Sequence, residues 1–285
     1  MIQRKPDWLK KELFNKGKDN GVRTLIKKHK VNTVCNEASC PNIGECFSNG
    51  VATFLLLGNI CTRNCKFCNI KYNENSPLSL DLDESKRIVD SVKKLNLKYV
   101  VLTSVTRDDL NDGGASIFVE TINKLKEMDN NILIEVLVPD FMFNKDSINK
   151  ILSSYISLFS HNLETVKRIY KPLRPQSNYD RSLKVLEYAK KNSKLPIKSG
   201  VMVGLGETEE EMVTLFKDFK NIGGDILTIG HYLPPSKNHY NVTYQEKEVF
   251  DRYKYLANEI GIKNVISGPF VRSSYYVEKK FFLKI

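Results

Sequence analysis

The stretch that decides the fold joins an apolar run to three closely spaced cysteines, in Thr53–Cys68 (TFLLLGNICTRNCKFC). The apolar run predicts a buried strand, and the following Gly58 predicts a turn at its end. The thiols then come with the spacing C-x3-C-x2-C, at Cys61, Cys65 and Cys68. Structural zinc takes four protein ligands, so this set is one ligand short of a zinc site. A four-iron, four-sulfur cluster, [4Fe–4S], held by three thiolates keeps one iron open for a small molecule.

A second group of three cysteines precedes this stretch, at Cys35, Cys40 and Cys46, with the spacing C-x4-C-x5-C. Pro41 and Gly44 within it predict a loop rather than a regular element. Because no cysteine follows Cys68, two sets of metal ligands are favoured over three disulfides. Zinc remains an alternative for both groups, with a distant histidine completing the earlier one.

Length and composition are those of one globular domain. The chain has 285 residues, which is enough to bury a large core in a single α/β barrel. No apolar run is long enough to span a membrane. The basic start, Met1–Lys11, contains Asp7 and lacks an apolar core, so it is not typical of a secretory signal. We therefore expect a cytoplasmic protein without a membrane partner, with an organelle matrix as the lesser alternative.

The net charge of +11 is concentrated at the two ends of the chain. Residues 1–30 carry a net charge of +7 and residues 252–285 a net charge of +5, which leaves the middle about −1. Basic ends attract nucleic acid or an acidic protein equally well. A zinc-stabilised RNA-binding module is therefore an alternative class, although the basic arm lacks the interleaved aromatic residues that bases stack on.

Short apolar runs and amphipathic helical segments alternate along most of the chain. Strands are predicted at 53–57, 98–103, 132–138, 156–160, 196–203, 225–230 and 263–266. Helices are predicted around Trp8–Phe14 and Ile88–Leu95, and at 114–128, 144–153, 178–192, 207–221 and 245–260. Repeated βα units with nearly continuous apolar strands imply a parallel sheet with right-handed crossovers.

The predicted fold class is thus α/β, a partial (β/α)6 barrel like that of the TIM fold. Residues 51–262 would form the barrel, with an N-terminal extension over 1–50 and a C-terminal extension over 263–285. Polar segments follow the strands, where a barrel places its chemistry, and they begin at Thr103, Ser160, Gly204, His231 and Gly268. Asp112 and Thr208 are expected to serve partly as helix caps. A site at the barrel mouth follows.

Together these motifs resemble the lipoyl synthase family of radical S-adenosylmethionine (SAM) enzymes, from Trp8 to Tyr275. The motifs are the two cysteine groups, the first with ASCPNIGE at 38–45, then RDDLNDGG at 107–114, HNLET at 161–165, VGLGET at 203–208 and RSSY at 272–275. The first and last motifs separate this family from biotin-synthase-like enzymes. The resemblance implies a radical SAM barrel and a sulfurtransferase of lipoate biosynthesis that inserts sulfur at C6 and C8 of a protein-bound N6-octanoyl-lysine.

The resemblance also implies the cofactors, which are two [4Fe–4S] clusters and SAM. The cysteines of the C-x3-C-x2-C signature would hold the cluster that cleaves SAM to a 5′-deoxyadenosyl radical. The three earlier cysteines would hold an auxiliary cluster, with the hydroxyl of Ser274 as its fourth ligand, and this cluster would donate the sulfur. A serine oxygen is a harder and poorer ligand for such iron than a thiolate. We hypothesise that easy loss of the iron bound to Ser274 opens the auxiliary cluster.

For SAM itself, the resemblance implies Phe67 beside the adenine, and Asn162 and Glu164 at the ribose or methionine groups. Further candidates are Thr103 and Lys198 for the methionine carboxylate and Arg174 for SAM or substrate. Lys198 is a candidate because a buried lysine normally needs an anion.

Other polar residues of the motifs have two interpretations. Arg107 and Asp108 are either functional or a structural ion pair. His161 is a candidate for simple packing, and Trp8 for a packing anchor. His231 stands where the family commonly has glutamine, which weighs against a catalytic role for it.

The implied partners are proteins. The substrates would be octanoylated lipoyl-carrier domains of 2-oxoacid dehydrogenase E2 subunits or of the glycine cleavage H protein. The electron donor would be a reduced ferredoxin or flavodoxin. Carrier domains of this kind are typically acidic, so the basic ends favour protein–protein steering over nucleic-acid binding.

Overall fold

Seven parallel strands form one sheet at the centre of the protein. The structure is a computed structural model that describes residues 4–10, 20–38, 40–48, 52–73 and 79–274. The strands of the chain, in order, are β1 (Thr53–Leu56), β2 (Ile60–Cys61), β3 (Lys71–Tyr72), β4 (Tyr99–Ser104), β5 (Leu133–Leu137), β6 (Leu158–Ser160), β7 (Ile197–Val203), β8 (Ile226–His231) and β9 (Asn264–Ser267). The sheet order is β1-β4-β5-β6-β7-β8-β9, while β2 and β3 pair separately.

Helices connect each strand of the sheet to the next. In chain order they are α1 (Asn20–His29), α2 (Val34–Glu37), α3 (Ile43–Ser48), α4 (Glu84–Leu95), α5 (Ala115–Met128), α6 (Lys145–Leu152), α7 (Lys167–Leu173), α8 (Tyr179–Asn192), α9 (Glu209–Asn221) and α10 (Val249–Glu259), with 3₁₀ turns at Asp7–Leu9 and Phe141–Phe143. Six βα units followed by β9 confirm the predicted partial (β/α)6 barrel. In the described part of the chain, no helix has the length and apolar character needed to cross a membrane.

The seven predicted strands are all present, with ends that differ by one or two residues. Most of their side chains are buried, and in β1 and β8 every residue is, while the edge strand β9 is mostly half-buried. This burial is the reason that continuous apolar runs mark the strands of a parallel sheet. The predicted helices after residue 80 are confirmed as well, and the Thr208 side chain caps α9 in a capping box with Glu211.

The open edge of the sheet at β1 is covered by the segment before the first cysteines. The amide of Leu55 donates to the carbonyl of Asn32 at 2.9 Å, and Thr33 forms an antiparallel bridge with Phe54. An uncovered edge strand would expose unpaired backbone groups. The N-terminal segment is therefore part of the sheet architecture and delivers Cys35 to the start of β1.

The segment of the first three cysteines consists of two short helices joined by a loop, so the prediction of a loop holds at Pro41 and was wrong at Gly44. The Thr33 side chain caps α2 by accepting a hydrogen bond from the amide of Asn36 at 3.3 Å. Pro41 precedes α3, a position that proline tolerates because the first turn of a helix needs no amide donor. Gly44 lies in the first turn of α3. Short helices with local caps do not show an apolar period.

Two further α-helices were not predicted. α1 buries Val22 and Ile26 from an otherwise basic sequence, which gives too few apolar positions for a visible period. α7 contains Pro172, which in a sequence predicts the end of a helix. The predicted helix around Trp8–Phe14 is seen as the 3₁₀ turn Asp7–Leu9. Its remainder from residue 11, together with Ser39 and Tyr275 of the motifs, lies outside the described residues.

Trp8 anchors the N-terminal segment on the barrel, as predicted. Its ring meets the ring of His231 edge-on, with centroids 6.0 Å apart, and the ring of Phe250 at 6.3 Å. His231 is buried, its Nδ1 lies 2.6 Å from the carbonyl of Tyr232, and the amide of Gln245 donates to its Nε2. Burial lowers the pKa of His231 to about 4. His231 is therefore a neutral, structural residue.

We predict that His231→Gln reduces the sensitivity of the fold to acid. Because the pKa is lowered from the ordinary 6.5 to about 4, the neutral ring contributes its full stability above pH 6.5 and loses it as the pH falls toward 4. The free energy of unfolding of the wild type would fall by roughly 2–3 kcal/mol over this pH range because of His231. Urea unfolding of the iron-free wild type and variant between pH 7 and 4 would measure it. Parallel stability curves for the two proteins would contradict the assignment.

Candidate active site at the barrel mouth

The loop with the C-x3-C-x2-C signature begins in β2 and is fastened to the rim of the barrel. The amide of Thr62 donates to the carbonyl of Thr106 at 3.0 Å, beyond the end of β4. The amide of Lys66 donates to the carbonyl of Leu173 at 2.8 Å, at the end of α7. These backbone contacts hold the loop across the carboxyl ends of the strands, which is where a barrel carries its site.

The three thiols of this loop are half-buried and lie close enough to influence one another's ionisation. Burial raises the pKa of Cys65, and raises that of Cys68 to about 12, and Cys61 adds to both shifts. Thiols in such a setting ionise when a metal supplies the compensating charge. Within the described ranges, no three Cys, His, Asp or Glu side chains converge closely enough for a single metal ion. Three thiolates from one loop are the soft donors that an iron–sulfur cluster takes, and each binds a different iron.

Arg63 lies between the first two cysteines of the signature in sequence, and its buried side chain holds the loop in place. Its side chain is 1% exposed. It donates to both carboxylate oxygens of Asp108, at 2.6 and 2.8 Å, and to both of Asp140, at 3.0 and 2.7 Å. Although burial alone would raise the pKa of Asp140, the hydrogen bonds and charge of Arg63 hold it well below its ordinary value. The guanidinium therefore ties the loop to the segments after β4 and β5.

Of the two interpretations of Arg107 and Asp108, an ion pair between them is not seen, although each forms an ion pair with another residue. Asp108 pairs with Arg63, whereas Arg107 pairs with Asp109 at 2.7 Å. Consecutive residues point in different directions, so the order of charges along the chain does not identify which residues pair.

His161 is buried with its ring nitrogens 2.8 Å from the carbonyl of Val138 and 2.9 Å from the hydroxyl of Ser182, which confirms its packing role.

Asn162 and Glu164 lie together at the end of β6. The side-chain amide of Asn162 donates to a carboxylate oxygen of Glu164 at 3.1 Å. Glu164 has a left-handed backbone with φ of 67°, and its amide and carbonyl bond to Gly200 and Met202 of β7 at 2.9 and 2.8 Å. A residue other than glycine in this conformation is strained, and such strain is concentrated at functional sites. Burial raises the pKa of Glu164.

Arg174 brings an unsatisfied polar atom to this corner. Its Nη1 donates to the hydroxyl of Tyr170 at 2.5 Å, and its charge favours the thiolate of Cys65. Its Nε is buried and has no hydrogen-bond partner in the described structure, and neither has the hydroxyl of Ser104 at the end of β4. Buried polar atoms are almost always paired, so these two groups fit a polar ligand such as SAM at the mouth. Phe67 is half-buried in the neighbouring loop.

The other two candidates for the methionine carboxylate are engaged with the protein. The hydroxyl of Thr103 donates to the carbonyl of Leu137 at 2.7 Å. Lys198 does have the anion that its burial demands, but this anion is Glu135 of β5, and both side chains are fully buried. Both side chains thus make structural contacts in the folded chain, and their roles as SAM contacts stay predictions. The sequence carried a signal for this pair. Glu135 is the only charged residue in the apolar strand β5, and Lys198 is the only charged residue in β7.

The C-terminal motif meets the first cysteine group at the start of β1. The hydroxyl of Ser274 lies 2.9 Å from the hydroxyl of Thr53, at the start of β1. The amide of Thr53 donates to the sulfur of Cys35, whose pKa burial raises to about 11. The side-chain amide of Asn42 donates to the carbonyl of Phe270 at 2.7 Å. Two distant parts of the chain are thus joined beside β1.

Arg272 brings a positive charge next to the first cysteine group. Burial lowers the pKa of Arg272, and the neighbouring Cys40 opposes that shift. All six cysteines are among the described residues and none forms a disulfide there, so the disulfide alternative does not hold. Three thiols, a hydroxyl and a nearby guanidinium fit an anionic cluster ligated by sulfur and oxygen.

Comparison with known proteins first gives the class. Residues 55–219 match the Radical SAM superfamily. SuiB of Streptococcus suis shares the fold with a TM-score of 0.57 and 13% identity over 79% of this chain, which spans 52% of SuiB. Methylornithine synthase (PylB) does so with a TM-score of 0.54 and 17% identity over 87% of this chain and 81% of its own. The chain is an enzyme of the radical SAM class, which uses SAM and a [4Fe–4S] cluster.

Curated relatives give the family. The lipoyl synthase of Caldicellulosiruptor saccharolyticus is 49% identical over 98% of this chain and 98% of its own. That of Alkaliphilus metalliredigens is 47% identical over 96% of this chain and 94% of its own. At this identity and coverage, the chain belongs to the lipoyl synthase family.

We predict that Arg63→Met loosens the signature loop and destabilises the protein. The variant leaves Asp140 buried with its main countercharge removed, which costs roughly 3–5 kcal/mol. Arg63→Lys should recover part of this, because it restores the charge but not the two-pronged geometry. Urea unfolding of the iron-free proteins measures the change.

The matched control for Arg63 is Arg168→Met. Arg168 also pairs with a carboxylate, that of Glu211, but its side chain is 59% exposed. Such a surface pair contributes about 1 kcal/mol or less. Equal destabilisation by the two methionine variants would show that Arg63 does not hold the loop.

Proposed function

We propose that this protein inserts two sulfur atoms into an octanoyl chain, at C6 and C8, while the chain is attached to a lysine of a lipoyl-carrier domain. The product is lipoyl-lysine, so the reaction belongs to lipoate biosynthesis and protein lipoylation. The observation that carries the proposal is the contact between Ser274 and Thr53 beside Cys35. It supports a second metal site, which sulfur insertion needs in addition to the signature loop.

The ligand sets follow from the two groups of thiols. The first cluster would be held by Cys61, Cys65 and Cys68. The second, auxiliary cluster would be held by Cys35, Cys40, Cys46 and Ser274. When bound, SAM and the two clusters supply the hydrogen-abstracting radical and the sulfur atoms, which no side chain can supply.

Other residues of the mouth would orient SAM and keep it in place. Asn162 and Glu164 would bind its ribose or methionine groups, and Phe67 would lie beside its adenine. Arg174, whose Nε is unpaired among the described residues, would bind a polar group of SAM or substrate. Enclosing these groups in a buried corner strengthens their electrostatic interactions and excludes water from a reactive site.

Ser274 would act as the releasable ligand of the auxiliary cluster. Its oxygen is a poorer ligand for iron than the three thiolates, so the iron that it binds is the first to leave. Thr53 lies within hydrogen-bond distance of the same oxygen and would bond to the hydroxyl once the iron is lost. A buried hydroxyl that keeps a partner can be released at little cost.

Each of three parts of the chain would supply a different part of the site. Residues 1–50 would supply the thiols of the auxiliary cluster, residues 51–262 the SAM site in the barrel, and residues 263–285 the serine ligand. The basic ends would steer an acidic carrier domain, the E2 type or the glycine cleavage H protein, toward both clusters. A reduced ferredoxin or flavodoxin would supply the electrons.

We predict about eight iron and eight acid-labile sulfide per chain after anaerobic reconstitution, as two four-iron clusters require. The protein should then convert octanoyl-lysine on an intact carrier domain to lipoyl-lysine. The control, with Cys35, Cys40 and Cys46 all replaced by Ala, should retain about four iron, cleave SAM and make no product. Zinc in place of iron, or about four iron in the wild type, would contradict the proposal.

We also predict that Ser274→Cys keeps both clusters and loses product. A fourth thiolate binds iron more tightly than serine oxygen does, so the auxiliary cluster would not open. Iron content, SAM cleavage and lipoyl-lysine formation measured on the same sample separate the steps. Unchanged product formation would refute the role of the weak ligand.

A further inference from the structure

We propose that Lys198 is the positioning residue for Ser274: its buried ammonium holds the backbone carbonyl of Ser273 and thereby sets the next hydroxyl beside Cys35. The inference rests on the proposed role of Ser274 as a cluster ligand. It assigns to Lys198 a function in assembling the auxiliary site rather than in binding SAM.

The ammonium of Lys198 is held in a fixed direction inside the barrel. Its Nζ donates to the carbonyl of Ser273 at 2.6 Å and forms an ion pair with Glu135. Glu135 in turn accepts hydrogen bonds from Tyr99 at 2.6 Å and from Ser160 at 3.1 Å. A buried ion pair is favourable only when further hydrogen bonds satisfy both ions, so this network fits one arrangement.

Two glycines on neighbouring strands make room for the segment that Lys198 binds, residues 271–274. A Cβ at Gly200 of β7 would lie 2.5 Å from the hydroxyl oxygen of Ser273. A Cβ at Gly230 of β8 would overlap the carbonyl of Val271. Because the atom met at Gly230 is backbone, any other residue type there would push the segment off the sheet, whereas at Gly200 it would displace a side-chain hydroxyl. The barrel wall is shaped to receive this backbone.

The segment has two side-chain contacts in addition. The hydroxyl of Ser273 donates to the side-chain oxygen of Asn162 at 2.9 Å, and Ser274 contacts Thr53. Because Lys198 binds a backbone atom, it can keep the segment docked whether or not Ser274 is bound to iron. A weak ligand held in this way can leave its iron without leaving the site.

The test uses the full-length chain with Lys198→Met and Glu135→Gln combined. The single change Lys198→Met would leave a buried carboxylate without its countercharge, whereas the amide introduced by Glu135→Gln is neutral and can still bond to Tyr99 and Ser160. The double variant should thus melt near the wild-type temperature but lack the hold on Ser273. The readout is the rate of trypsin cleavage after Arg272, relative to cleavage elsewhere in the chain.

We expect this relative cleavage to rise about tenfold or more, because proteolysis follows the population of the opened segment. Gly230→Ala should raise it in the same way, while Gly21→Ala, whose Cβ would meet nothing within 4 Å, should not. Wild-type cleavage in both the double variant and Gly230→Ala would overturn the inference. No metal is needed for this measurement.

A second measurement connects the segment to the auxiliary site. In a parent with Cys61, Cys65 and Cys68 replaced by Ala, about four iron should bind at the remaining ligands. After mild oxidation with ferricyanide, which removes the one electron that the signal requires, the double change should give the same three-iron electron paramagnetic resonance signal as Ser274→Ala, although no ligand has been altered. A parent without iron would refute the proposed function. A parent with about four iron, and a double variant that keeps them without that signal, would overturn the inference alone.

Discussion

The ion pair between Lys198 and Glu135 is the interaction on which the inside of the barrel depends. It joins β5 to β7 across β6, draws in Tyr99 of β4, and extends to the carbonyl of Ser273. An isolated charge in such a core would be prohibitively costly, so each ion requires the other and both require the surrounding hydrogen bonds. The network therefore selects one register of the strands and one position of the C-terminal segment.

The signature loop follows the same principle at the other side of the mouth. Arg63 is enclosed by Asp108 and Asp140, and Asp140 is shared with Arg181 at 2.8 Å. The loop has little apolar surface with which to hold its own shape. Ion pairs in which one guanidinium donates to both oxygens of a carboxylate fix the orientation of the loop, as side-chain packing does for a helix. Both halves of the site are thus positioned by buried arginine or lysine.

Much of the architecture followed from the pattern of apolar residues. Strands buried on both faces must be continuously apolar, so their positions were predicted to within two residues. The short helices α2 and α3 were missed because local caps such as Thr33, rather than an apolar face, produce them. Trp8 was correctly assigned to packing, but its partner His231 could not be named, because they are neighbours only in the folded chain.

By itself, the sequence determined the partial barrel, the two groups of three thiols and the position of the Cys61–Cys68 group after a strand, since spacing and apolar period are local properties. Tertiary structure alone decided which polar groups meet. Thr53 and Ser274 are 221 residues apart, yet their hydroxyls lie 2.9 Å from each other. The sequence required an anion for Lys198, and strand order and register decided that this anion is Glu135. Partners in a core are chosen by the geometry of the sheet, which no single segment encodes.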